Sequence, residues 1–180
     1  KIGKWNDAIT PRRTSPVLYF TSVCGTAPSW VVAHCNYVDD DEIVTLARSD
    51  IAIAYCPVAS DYFRHAHHRY RDMLAAGATV CLGTDSIVCQ PLDETHPLGI
   101  LSQIRHLYCR DLTPPAVLLR MATFYGYAAL QLNPDEFGLF APGAHFDGFG
   151  IRFDPTDGTD PFVQVLLNNH PAQPIALPSP

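Results

Sequence analysis

The sequence predicts an α/β protein assembled from parallel strand–helix units, and three observations carry that prediction. Short apolar runs alternate with helical patterns from Trp30 to Thr123. Those runs are continuously apolar rather than alternating in polarity, as strands buried on both faces must be. Each run also stops abruptly at residues that turn the chain or do chemistry: His34, Cys56-Pro57, and Gly83-Thr84-Asp85.

Taken in order, the lead-in from Lys1 to Arg13 lacks periodicity, and Pro11 marks it as irregular. Pro16 to Val23 reads as a helix with Ser15 as N-cap and proline at its first position. Trp30 to Ala33 is a short strand ending at His34. Asp39 to Arg48 is a helix, with acids in its first turn and Ile43, Leu46 and Ala47 at helical spacing. Ile51 to Tyr55 is the second strand. The segment from Val58 to His67 is polar and histidine-rich and reads as a loop. Arg69 to Ala76 is a helix stopped by Gly77, and Ala78 to Leu82 is the third strand. His96 to Cys109 and Pro114 to Thr123 read as helices, the second with Thr113 as N-cap. Glycine and proline then become frequent. A boundary near Pro134 divides residues 1–134 from a β-rich piece, 135–180, with short strands around Gly148–Phe153 and Phe162–Leu167.

Composition narrows the function classes. Of the 180 residues 47% are hydrophobic and 17% charged, which suits a folded domain with a substantial core. A formal net charge of -6 without a basic stripe argues against nucleic acid as a partner. No run approaches the roughly 18 apolar residues of a membrane span. The six cysteines lack Cys-x-x-Cys spacing. Cys35, Cys56 and Cys81 lie in or beside apolar strands, which reads as reduced thiols in a cytosolic protein.

In parallel α/β folds ligands bind at the carboxyl ends of the strands, where His34, Cys56-Pro57 and Asp85 all fall. An imidazole and a carboxylate suit a metal site, as ligands or as holders of its water. Each residue also has a plainer reading: His34 as a hydrogen-bonded turn residue, Asp85 as a cap, Cys56-Pro57 as turn geometry. Their coincidence at successive strand ends favours a shared site. His65 and His68 lie on the same side and are candidate substrate contacts, whereas His67 reads as solvated. Arg69 and Arg71 are helix-surface charges or partners for an anionic group; His106, His145 and His170 read as structural.

Val32-Ala33-His34-Cys35, Tyr55-Cys56-Pro57 and Leu82-Gly83-Thr84-Asp85-Ser86 resemble the later strands of the amidohydrolase superfamily. The resemblance is to its metal-dependent deaminases and chlorohydrolases, a group with cytosine, guanine and adenosylhomocysteine deaminases. Met121-Ala122-Thr123 through Gly126 to Ala129-Leu130, and Gly138-Leu139 through Ala141-Pro142-Gly143, agree with it. Together these motifs cover Ser29 to about Asp154. Tyr62-Phe63, His65, His68-Arg69 and Met73-Leu74 are similar to the aminofutalosine-deaminase-like branch.

The resemblance implies a metal-centred (β/α)8 barrel with a small β-sandwich made from both chain ends. It implies that Asp85 is a metal ligand and proton carrier, and that His34 shares the metal site as an aid to the bound water or the attacked atom. Ser60, His65, His68 and Ser86 become the substrate-side residues. The implied cofactor is a divalent metal, zinc or iron, and the implied partner is a small nucleoside-like molecule. A cytoplasmic location and a homodimer of the full-length protein accord with it. The implied reaction is deamination of a purine-like or related heteroaromatic amine by a metal-bound hydroxide, since a metal moves the pKa of water towards about 7.

The chain also departs from the family's pattern. The first-strand His-x-His and the fifth-strand histidine have no counterpart ahead of His34, and a full barrel takes about 250 residues. His65-Ala66-His67 has the spacing but follows the wrong strand. The expectation is therefore the carboxyl-terminal half of a barrel, strands six to eight, with an incomplete metal site and no activity by itself. A non-catalytic remnant, or an amidohydrolase of another C–N or C–Cl substrate, are the alternatives. The family's substrate-contacting serine is here Ala59, with Ser60 one place on. Pro142-Gly143-Ala144-His145-Phe146-Asp147 lacks the family's lysine.

Overall fold

The computed structural model describes residues 12–25, 30–90 and 98–133. Beyond these it describes 149–151, 160–167 and 174–176, with isolated positions at 136, 142, 154 and 158. Three strands, β1 (Val31–Ala33), β2 (Ala52–Tyr55) and β3 (Thr79–Leu82), form one parallel sheet in chain order. Val32 pairs with Ile53, and Ile53 with Val80. The strand–helix alternation read from the sequence is thus the observed order.

Local signals explain most of the helices. Helix α1 (Pro16–Cys24) starts where Ser15 Oγ accepts from the Leu18 amide at 3.0 Å. Helix α2 (Asp40–Ala47) opens on a capping box, with Asp39 and Glu42 each accepting the other's backbone amide. Helix α4 (Tyr70–Ala75) runs out at Gly77, whose φ of 94° is the left-handed turn that glycine adopts without a steric penalty. Helices α5 (Ile100–Asp111) and α6 (Pro115–Ala122) are joined through Leu112, itself left-handed at φ 52°.

Three local expectations are corrected, and one helix is added. The segment after β2 is not a loop: Pro57–Tyr62 forms helix α3. Proline at the first helical position presets φ there, and that outweighs the polar composition. Thr113 is not the cap of α6; Pro114 holds that position, and the Thr113 hydroxyl meets the Tyr70 hydroxyl at 2.5 Å. A further helix, α7 (Phe124–Ala129), follows α6 directly. Phe162–Leu167 is not a strand but lies within helix α8 (Pro161–Leu167). There Asp160 Oδ1 accepts from the Phe162 and Val163 amides, a start signal stronger than the β-branched content. Strand β4 (Phe149–Ile151) does form, pairing antiparallel with β5 (Pro174–Ala176). His96, the expected start of α5, and His145 and His170 lie outside the described residues.

The two faces of the sheet differ in residue size. Ile53, Tyr55, Val80 and Leu82 belong to the main core with Met73, Leu107, Leu118 and Met121. Ala52, Ala54, Cys81 and Gly83 alternate with them and so point the other way. The helices cover the bulky face, while on the other face the small residues Ala52 and Cys81 are themselves buried. Helix α8 joins the main core through Leu166, and Arg105 of α5 donates to the Val165 carbonyl at 3.1 Å. Among the described residues no helix is long and apolar enough to cross a membrane.

Candidate metal and substrate site

The sheet ladder runs one residue past the strands at its carboxyl edge. The His34 amide donates to the Ala54 carbonyl at 2.9 Å and the Gly83 amide to the Tyr55 carbonyl at 2.8 Å. The chain then turns sharply. His34, Cys35 and Asp85 have φ of 69°, 53° and 58°, left-handed values that side chains other than glycine rarely adopt. Such backbone strain clusters at functional sites. It brings His34 Nε2 within 3.6 Å of Asp85 Oδ2, across the intervening β2. That separation is too long for a hydrogen bond. Both side chains keep solvent access, 39% and 28%.

Around the pair is a pocket of about 260 Å³ lined by His34, Asn36, Ala59, Ser60, Phe63, His65 and Asp85. Four of the six residues expected from sequence therefore meet in it: His34, Asp85, Ser60 and His65. Ser60 is buried, and its hydroxyl donates to Asn36 Oδ1 at 3.0 Å. His65 Nδ1 meets the Tyr37 hydroxyl at 2.5 Å, and its ring also faces Phe63. Exposed Phe63 gives the pocket wall an aromatic rim, and exposed Tyr37 packs edge-on against His65 beside it.

Ser86 and His68 stand elsewhere. Ser86 is not on the pocket wall: its amide donates to Asp85 Oδ1 at 2.7 Å, fixing the carboxylate, and its hydroxyl starts the 3₁₀ turn Ile87–Cys89. His68 turns away to stack on Tyr55, with ring centroids 3.7 Å apart. Its Nε2 lies 2.6 Å from the His34 carbonyl. Burial pushes the His68 ring down to a pKa of about 4, so it is neutral near pH 7. Sequence reading missed Asn36, Phe63 and Tyr37. For Asn36 and Tyr37 the available signal was a polar or aromatic residue just past a strand end, and for Phe63 it was its place in the Tyr62-Phe63 motif.

Neighbouring groups hold the wall in place. Cys56 is buried under the site, and burial followed by the Asp85 charge pushes its thiol up to about 11, so it is no nucleophile near neutrality. A Cβ on Gly83 would stand 2.9 Å from Cys56 Sγ, which is why glycine occupies that close approach. Gln90 donates to the Thr84 carbonyl at 2.9 Å, and buried Gln103 links Gln90 to the amide of Val58. This amide chain ties the Asp85 turn to α3 and α5.

A second polar group lies between α3 and α5. His106 Nε2 stands 2.5 Å from Asp61 Oδ2, and Arg110 donates to Asp61 at 2.8 Å and to the Tyr55 hydroxyl at 2.9 Å. His106, read from sequence as having no partner, thus pairs with Asp61. Arg69 bridges Asp40 and Asp72 on the surface, while Arg71 binds Thr113 and the Asp111 carbonyl.

The His34–Asp85 pair fits part of a metal site. An imidazole nitrogen and a carboxylate oxygen that face each other with solvent access are donor types that zinc takes. Among the described residues no group of three or more histidine, cysteine or carboxylate side chains converges to hold an ion. A parallel sheet with a histidine and an aspartate at its strand ends has the arrangement of part of an α/β barrel. Residues 16–175 match the amidohydrolase family, and the chain belongs to that family.

The chain is 30% identical over 143 residues to a 5'-deoxyadenosine deaminase of Methanoregula boonei, covering 76% of this chain and 32% of that protein. It is 31% identical over 143 residues to a 5-methylthioadenosine/S-adenosylhomocysteine deaminase of Pelotomaculum thermopropionicum, covering 78% and 33%. The chain thus spans about a third of the length of these relatives. In fold it resembles a zinc-bound adenosine deaminase of Xanthomonas campestris, with TM-score 0.68, 16% identity, and coverage of 87% and 37%. These likenesses define a TIM-barrel-type fold of which the parallel sheet is a part.

Proposed function

We propose that the complete protein is a metal-dependent hydrolase that releases ammonia from a purine-like or related heteroaromatic amine. The observation that carries this reading is the open His34–Asp85 pair in a pocket with an aromatic rim. The deaminase relatives support the substrate class, and the zinc in the structural relative supports a divalent metal, zinc before iron. Asp85 would hold the metal, with His34 beside it. The ion, when bound, supplies activated water near neutral pH.

The chain's own residues have distinct tasks. The Ser86 amide occupies Asp85 Oδ1, leaving Oδ2 to face His34 and the pocket. Asp85 Oδ2 is the atom on which a proton is held and then passed to the departing amine. His34 Nε2 orients the attacked ring atom, and Phe63 and His65 face the ring's flat surface. Ser60, through Asn36, sets the polar wall where the family's serine is replaced by Ala59. Residues 1–134 form the barrel portion, and β4 with β5 belongs to a small β-rich domain within 135–180.

Because two metal donors come together here, we also propose that the 180 residues alone do not turn over. The test is to purify the product of the complete reading frame, measure bound metal, and assay ammonia release from adenine nucleosides and aminofutalosine. Stoichiometric zinc with turnover on at least one is expected. No metal and no ammonia across that panel would sink the reading. Tight stoichiometric zinc on the 180-residue chain would overturn its proposed inactivity.

A further inference from the structure

We propose that His68 is a positioning residue: by donating from Nε2 to the His34 carbonyl it keeps the His34 ring turned toward Asp85. The catalytic part of this inference rests on the reading given above; the structural part does not. His68 lies outside the His34–Asp85 pocket, in a second, more polar pocket of about 280 Å³ with Asp61, Tyr70, Arg71, Arg110 and Asp111.

The donor is assigned by elimination at the partner. A carbonyl oxygen only accepts, so at 2.6 Å the proton sits on His68 Nε2. Nδ1 is buried and has no hydrogen-bond partner, so the ring's one polar bond is spent on His34. Stacking fixes the ring plane: Tyr55 lies 3.7 Å away at 18°, fully buried, and its hydroxyl is held by Arg110. Stack and hydrogen bond leave His68 little freedom.

His34 needs such a brace. It and Cys35 are consecutive left-handed residues, a state that is strained for side chains other than glycine. Three hydrogen bonds fix the turn: the His34 amide to Ala54, the Cys35 amide to Ala33 at 2.9 Å, and the His34 carbonyl from His68. The first two are made by backbone groups alone. Only the third comes from a side chain, and it is the one that holds the His34 carbonyl and with it the peptide from which the ring projects. A reacting group displaced by about 1 Å can lose 10²-fold in rate.

Three substitutions in the complete protein separate bracing from packing. Glutamine places its amide nitrogen where His68 Nε2 stands, asparagine stops at the place of Nδ1, and phenylalanine keeps the stack without a donor. His68→Phe and His68→Asn should lower kcat by roughly 10–100-fold with KM little changed, the range for residues that orient a metal-site ligand. His68→Gln should recover most of that loss. A fully active His68→Phe, or a His68→Gln as impaired as His68→Phe, would overturn the proposal. Should His68→Phe fail to fold, the contrast between glutamine and asparagine decides alone.

Crystal structures of the wild-type protein and these variants give a readout independent of turnover. His34 should keep its positive φ with histidine or glutamine and leave the left-handed region with phenylalanine or asparagine. If the complete protein is inert on every substrate, the hydrolytic reading fails while this measurement still judges the brace. An unmoved His34 in the variants lacking the donor overturns it whatever the kinetics.

Discussion

At the carboxyl edge of the sheet, His34 and Asp85 stand 3.6 Å apart with solvent access and no hydrogen bond between them. Between α3 and α5, Asp61 is held by His106 at 2.5 Å and by Arg110 at 2.8 Å. Both clusters pair a histidine with a carboxylate. The second is saturated: Arg110 also reaches Asp111 and Tyr55, and Tyr70 reaches Asp111 and Thr113. The first is held open by left-handed backbone. A satisfied network ties elements together, whereas strained and unsatisfied groups are poised to bind something else. His68 touches both, bonding the His34 carbonyl and stacking on the Tyr55 that Arg110 holds.

The largest expected effect lies in the open pair. Asp85→Asn in the complete protein should cut kcat by about 10²–10⁴-fold, the range for a positioned proton carrier. Its unfolding free energy should change little, because the carboxylate's polar contacts within the chain are local. Loss of folding with retained activity per folded molecule would erase the distinction between the clusters.

Next in size is acid sensitivity through His68. Its pKa falls from 6.5 to about 4 because burial penalises the charged ring. The unfolded chain then binds the proton more readily than the folded one between those values. The stability from the neutral ring is fully present above about 6.5 and is lost as pH falls toward 4. Full expression of that shift amounts to about 3 kcal/mol. Equilibrium unfolding of the complete protein and of His68→Gln, measured from pH 7.5 to 4.5, should show a shallower slope in the variant. Identical slopes would show that His68 is not the acid-sensitive link.

The smallest effect is purely structural. Asp61→Ala should lower the unfolding free energy by about 1–2 kcal/mol, since it strips hydrogen bonds from His106 and Arg110 while a third of the Asp61 side chain is in solvent. KM and kcat should stay near wild type. A drop in kcat comparable to that of Asp85→Asn would make the saturated cluster catalytic.

Much of this arrangement was legible along the chain. The capping box at Asp39 and Glu42, the stop at Gly77 and the apolar runs before His34 and Asp85 are contiguous signals, acting over a few residues. Helix α8 was misread because its apolar, β-branched run suits a strand as well as a helix. The pair Asp160-Pro161, and burial of Leu166 against the core, decided for helix. The joining of His34 to Asp85 was legible only as a shared strand-end rule.

What the sequence by itself determined is the order of strands and helices, and the placing of His34 and Asp85 at strand ends. Caps, periodicity and turn residues act locally and need no partner. Only the tertiary structure decided that Ser60 and His65 share a pocket with that pair while His68 and Ser86 serve it from behind. Side-chain direction past a strand end depends on which groups are buried and which hydrogen bonds remain to be made. For His68 the buried face of Tyr55 and the His34 carbonyl, 34 residues away, supplied both.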